Sequence, residues 1–172
     1  PLIGAYAHET RPAIAAAELG TVSLRAELRK HAESEVVRRR SERAAHERVF
    51  VTVMSRVAQS RAPDLDTIAS EIARDVAGLE ALYVLDHKGV QLTATWLAPD
   101  IVARNGFAPT QRGADLGLKD YFLEVGHGTG AYVSRPYVSM ASGRLSVTHS
   151  RRVRLCDGTN VVVCCDVPSA AL

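Results

Sequence analysis

Residues 131–167, "AYVSRPYVSMASGRLSVTHSRRVRLCDGTNVVVCCDV", hold three strand-like runs separated by two turn signals. The runs cover about 131–139, 144–153 and 160–167, and they are rich in the β-branched and aromatic side chains that suit a pleated surface. "MASG" and "CDGT" supply the glycine and aspartate that reverse the chain over a few residues. A reversal that short allows only antiparallel neighbours, because a parallel pair needs a crossover of a dozen or more residues. The stretch therefore predicts consecutive antiparallel strands.

Upstream of it, "ALYVLDHKGVQLTATW" at 81–96 places two apolar runs around Asp86-His87-Lys88-Gly89 and predicts a β-hairpin. Residues 98–116 carry Pro99, Asn105, Gly106, Pro109 and Gly113, a long polar loop of the kind that is often functional inside a domain. A short helix from Asp120 to Val125 follows, and the glycines of "GHGTG" free the backbone to turn into the next strand.

Ahead of the strands lies helical sequence. "APDLDTIASEIARDVAGLEAL" spaces Leu65, Ile68, Ile72, Val76 and Leu79 three or four apart, a buried stripe with Asp64 as its N-cap and Gly78 as its end. From Ser23 to Ser60 neither proline nor glycine interrupts. A helix of about 38 residues would be roughly 57 Å long, more than the diameter of a small domain. Its second half, with Phe50 and Met54, has the bulk to dock on a core. Its first half has a thin seam of Leu24, Leu28, Ala32 and Val36 and must project or pair with another helix. Farther back, Pro12 begins an alanine-rich helix that Gly20 would end, with Thr21 or Ser23 capping the next. The order of elements predicts an α+β fold: a five-stranded antiparallel sheet preceded by a long N-terminal helix and a second helix. Residues 1–44 form a helical extension and 45–172 the folded domain.

Composition excludes several functions. Hydrophobic residues make up 47% of the 172, enough for a core. With 21 basic against 19 acidic residues, nothing points to a nucleic-acid partner. The cluster Arg38, Arg39 and Arg40 shares its helix with Glu33, Glu35 and Glu42, which reads as a solvated face. There is no GxSxG elbow, P-loop, HExxH or strand-borne GxGxxG, so the expectation is a protein that is not an enzyme and needs no cofactor. A metal site would have to join His127, His149 and Asp166; an exposed turn histidine and an ordinary sheet histidine are the simpler reading. Cys156, Cys164 and Cys165 show neither zinc nor redox spacing, and free thiols suit the cytoplasm, with the periplasm as the alternative.

The strand "RLSVTHSRRV" puts Leu145, Val147 and His149 on one face and Ser146, Thr148 and Ser150 on the other. Three small hydroxyls suit either a solvent-facing surface or the lining of a polar cavity. Tyr121, Tyr132 and Tyr137 lie nearby in sequence, each with an apolar body and a polar tip. Asp166 on the last strand can neutralise a ligand cation, while Lys119, Arg135 or Arg152 can meet a carboxylate. These residues make a candidate ligand-binding set; the alternative is that the tyrosines are core and the charges surface.

Residues 113–167 also resemble the Cache (PDC, PAS-like) sensor domains of bacterial signalling proteins. The shared features are Gly113, Asp115 and Leu116, the Tyr121-Phe122 pair, the strand "YVSRPYVS", the "SGR" turn, the Asp157-Gly158 turn and the closing Asp166-Val167. "LYVLDHKGVQL" resembles the family's first hairpin, so the resemblance covers about residues 45–167. Lys119 stands where the family often has arginine, and lysine offers a point charge in place of a planar fork. The resemblance implies a PAS-like sheet whose open side, roofed by residues 98–125, holds a small polar ligand such as an amino acid or carboxylate. It implies a homodimer formed along the long helix, and an output domain elsewhere in the protein, of cyclic-di-GMP-turnover, kinase or chemoreceptor type. A ligand-free PAS-like dimerisation module is the alternative, and it would have no cavity.

Overall fold

The computed structural model describes residues 2–128 and 130–169, with side chains from Thr21 onward. Helix α1 runs unbroken from Leu2 to Ala58. Gly20 does not end it, since one glycine inside a helix costs only about 1 kcal/mol against alanine. Pro12 also lies within it. The chain divides into two compact units between Ala44 and Ala45.

The first unit is helix alone. Its charges pair along the surface: Arg38 bonds Glu35 at 2.6 Å and Glu42 at 2.6 Å, and Arg39 bonds Glu35 at 2.8 Å. Two guanidinium groups beside Glu35 hold its carboxyl down at about 2. Leu24, Leu28 and Val37 are exposed.

The second unit is the folded body. The remainder of α1 ends as Ser60 Oγ donates to Val57 O at 2.7 Å. A 3-10 turn over Ala62–Asp64 leads into α2, Leu65–Asp75. Asp64 occupies the cap position without a side-chain cap bond, in helical rather than extended backbone, because the 3-10 turn already feeds the helix. α2 stops at Asp75, three residues before Gly78, when Val76 turns extended. Its buried face is Leu65, Ala69, Ile72 and Ala73; Ile68 and Val76 are only half-buried.

Among the described residues six strands follow, all antiparallel: β1 (Ala81–Leu85), β2 (Trp96–Leu97), β3 (Ala131–Val133), β4 (Tyr137–Val138), β5 (Leu145–Arg154) and β6 (Asn160–Pro168). Their order is β2-β1-β6-β5-β3, with β4 also pairing β5. The expected hairpin is present, but its return limb is broken: Leu85 bridges Gln91, and regular pairing resumes only where Leu82 meets Trp96. The single strand expected at 131–139 is two pieces, because Pro136 has no N–H to give the ladder. At the break Ser134 Oγ accepts the Thr148 N–H at 2.9 Å, so a side chain replaces a backbone carbonyl and Arg135-Pro136 stay out of the ladder.

Alternation along β1, β5 and β6 sorts side chains onto two faces. One face packs Leu82, Val84, Val163 and Cys165 against Phe50, Val53 and Val57 of α1 and Leu65 and Ile72 of α2. Asp66 ties α2 to the sheet, accepting from Ala94 N at 2.9 Å and Trp96 Nε1 at 3.1 Å. The other face carries Tyr83, Leu85, Val162 and Cys164 under Leu116, Tyr121, Phe122 and Val125. Cys164 and Cys165 are fully buried and burial pushes both thiols up, so they stay protonated and inert; only Cys156 is exposed.

Candidate functional site

The second face is roofed by residues 98–119 and by helix α3 (Asp120–His127). The roof is fastened down. Buried Gln91 donates from Nε2 to Thr95 Oγ1 at 2.9 Å, and its carbonyl accepts from Thr110 Oγ1 at 2.7 Å. Backbone bonds add Thr95 N to Thr110 O at 3.0 Å, Arg104 N to Ser142 O at 2.9 Å and Leu116 N to Gly89 O at 2.9 Å. Gly143, at φ +74°, lets the β4–β5 turn meet the roof: a Cβ there would sit 2.7 Å from Phe107 Cδ2. On α3, Tyr121 O accepts from Ser150 Oγ of β5 at 2.7 Å.

Between roof and sheet lies a cavity of about 730 Å³. That is the size of a small-molecule site. Of the residues expected to bind ligand, Lys119, Tyr121, Tyr132, Arg135, Tyr137 and Asp166 line it. Lys119 and Arg135 are exposed, while Asp166 is 2% exposed. Ser146, Thr148 and Ser150 do not line it. They are fully buried, because β5 is an interior strand between β6 and β3/β4, and their hydroxyls serve other residues. Arg152, exposed farther along β5, lies outside it too.

Those hydroxyls organise two carboxylates. Thr148 Oγ1 donates to Asp166 Oδ1 at 2.7 Å, and Tyr137 OH sits 2.6 Å from Thr148 Oγ1. With the threonine proton committed to Asp166, the tyrosine proton points to Thr148, forming a short relay. Ser139 Oγ gives Asp166 Oδ2 a longer bond of 3.3 Å. Burial outweighs these donors and raises the Asp166 carboxyl to about 6. Burial likewise pushes the Tyr137 and Tyr121 hydroxyls above their usual range. Behind Asp166, Glu80 is 0% exposed. Its Oε1 accepts from Ser146 Oγ at 2.8 Å and from Ser142 Oγ, and its Oε2 has no partner among the described residues.

Sequence reasoning missed Glu80, Gln91, Thr95, Thr110 and Ser139. A glutamate at the head of "EALYVL" reads as a strand boundary, and only the fold buries it. The Thr95 and Thr110 pair was readable as polar interruptions in an apolar hairpin and its loop. His127, His149 and Asp166 are not brought together: His149 faces α1 on the opposite side of the sheet from Asp166, and His127 is exposed at the end of α3. No group of three metal-ligating side chains converges among the described residues.

No family profile and no curated relative matches the sequence. Solved structures do match. The sensory domain of the Campylobacter jejuni chemoreceptor Tlp3 with isoleucine bound aligns with a TM-score of 0.57 and 14% identity, over 75% of this chain and 53% of that one. The Tlp3 ligand-binding domain in complex with L-valine gives 0.55 and 16%, over 75% and 53%. The Bacillus subtilis YkuI protein, which has an EAL domain and was solved with its substrate c-di-GMP and calcium, gives 0.52 and 15%, over 77% and 35%. The chain thus spans about half the length of the chemoreceptor domains it matches. The helix-backed antiparallel sheet, its roofed second face and these likenesses agree: the chain has the PAS-like α+β fold of Cache/PDC-type sensor domains.

Proposed function

We propose that this chain is a small-molecule-sensing domain of a signalling protein, acting by binding and not by catalysis. The observation that carries this reading is a buried carboxylate, Asp166, reaching a cavity of about 730 Å³ whose lining also includes exposed Lys119 and Arg135. An anion inside and cations at the mouth complement a zwitterion, with its ammonium on Asp166 and its carboxylate near Lys119 or Arg135. Tyr121, Tyr132 and Tyr137 wall the space, and Leu116 and Met140 leave room for an apolar side chain. An amino acid fits this chemistry, and the Tlp3 structures with isoleucine and L-valine support the same class. Calorimetry with isoleucine and valine tests it. Saturable binding that weakens at least tenfold in Asp166→Asn is expected. Failure of every amino acid to bind, or binding untouched by the substitution, refutes it.

The cavity of about 730 Å³ argues against the alternative, a ligand-free PAS-like dimerisation module. We further propose that residues 1–44 form a dimerisation helix and 45–172 the sensor, supported by the exposed seam of Leu24, Leu28 and Val36. Binding in the cavity would be relayed through α1 to an output domain outside this chain, such as a cyclic-di-GMP enzyme, kinase or chemoreceptor module. Sedimentation at micromolar concentration should show a dimer that Leu24→Glu/Leu28→Glu dissociates. The exposed Cys156 favours a cytoplasmic setting, with the periplasm as the alternative.

A further inference from the structure

α3 separates two cavities. Tyr121 lines the one that holds Asp166, and its neighbour Phe122 lines another of about 510 Å³. The two share no residue. Both lie along β6, where Asp166 serves the first and Asn160, Val161 and Val162, six to four residues back, serve the second. Between them Cys164 is covered by the α3 cluster.

The second cavity has a distinct chemistry. Its polar lining is Arg152, His87 and Asn160, and no carboxylate contributes to it. Arg152 makes no ion pair among the described residues. His87 is held in place by its turn: Asp86 Oδ1 accepts from Lys88 N at 2.8 Å and Val90 N at 2.9 Å. Gly89 at φ +87° presses that turn onto the roof, where a Cβ would lie 2.4 Å from Gly117 Cα and 3.2 Å from Phe122 Cε1. Gly126 completes the wall. Its added Cβ would touch nothing within 4 Å, so neither packing nor helix propensity calls for glycine there; the missing side chain leaves the space open.

We propose that this second cavity binds a small organic carboxylate. The carboxylate sits on the planar guanidinium fork of Arg152, assisted by the Asn160 amide, and the apolar body lies against Phe122 and Val162. One permanent positive charge matches one negative charge, so a carboxylate monoanion is balanced where a phosphate dianion is not. The site stands independently of the zwitterion cavity.

Amide chemical-shift titration of the full chain with benzoate tests this, with benzylamine and inorganic phosphate as comparisons. Benzoate should give saturable shifts at millimolar concentration centred on Phe122, Arg152 and Asn160, and the other two should not. Arg152→Gln should weaken binding about tenfold. Gly126→Leu, which fills open space without disturbing packing, should abolish it, while Asp166→Asn should leave it unchanged. Absence of saturable shifts around α3, equal shifts from phosphate, or an undiminished response in Arg152→Gln overturns the proposal.

Discussion

The two faces of this sheet come from the same strands and solve opposite problems. On one, Phe50, Val53, Ile72, Leu82 and Val163 close the space between helices and sheet with hydrocarbon. On the other, tyrosines, small hydroxyls and two buried carboxylates leave the space open. Hydrocarbon packing is non-directional and fills voids, because each missing contact forfeits dispersion and transfer free energy. Hydroxyls and carboxylates must satisfy directional bonds, and a network such as Tyr137–Thr148–Asp166 holds its shape without filling its surroundings. Hydrocarbon packing is thus concentrated on the helix side and polar, directional bonding on the roofed side.

The largest expected difference comes from truncating the packed face. Ile72→Ala, at a fully buried position, should cost about 2–5 kcal/mol, whereas truncating exposed Met140 at the cavity should change stability within about 0.5 kcal/mol. Urea unfolding of both variants measures this. Equal losses would erase the contrast between the faces.

Next comes the cavity's buried acid. The Asp166 carboxyl titrates at about 6 in the fold against an ordinary 3.8, so the folded state binds the extra proton in that window. Its contribution is fully present below pH 3.8 and is lost as pH rises through 6, on the order of 2–3 kcal/mol in all. Asp166→Asn should remove this dependence and leave the apo protein more stable than wild type at neutral pH. Stability of the two forms across that window provides the check, and parallel curves would count against the assignment.

A smaller effect of opposite sign belongs to the packed face. His149 is 4% exposed, both ring nitrogens lack partners among the described residues, and it lies against Phe50 and His46, with Cys165 and Val133 as its strand partners. Burial and the neighbouring His46 lower its pKa below the ordinary 6.5, partly opposed by Glu47. It therefore supports the fold above pH 6.5 and loses that support as pH falls through its lowered value. His149→Leu should abolish this acid-side loss; imidazole resonances followed by NMR report the titration directly. Smallest of all, Glu35→Gln in the exposed ladder of the first unit should leave melting unchanged, since solvent screens such pairs.

The legibility of the fold tracks the range of the interactions that encode it. Strand runs, turns and the α2 stripe are local patterns, so β5, β6 and the helix-facing core were readable within a few residues. The break at Ser134-Arg135-Pro136 was encoded by a single proline, yet its consequence, a serine hydroxyl standing in for a carbonyl, depends on Thr148 across the sheet. Tyr121, Tyr132, Tyr137 and Asp166 were nameable as candidates from residue type and neighbourhood. Ser146, Thr148 and Ser150 were placed on the correct face but given the wrong neighbour, because alternation says which way a side chain points and not what covers it.

Residue order alone sets the succession of elements, the antiparallel topology and the division of each strand into an aliphatic and a hydroxylic side. These follow from periodicity and turn chemistry, which act over a few residues. It takes the assembled fold to make β5 interior, to bury Glu80 and Asp166 near one another, and to let α3 part the hydroxylic side into two cavities. Burial and electrostatics depend on which distant segments meet, and those meetings have no short-range signature in the chain.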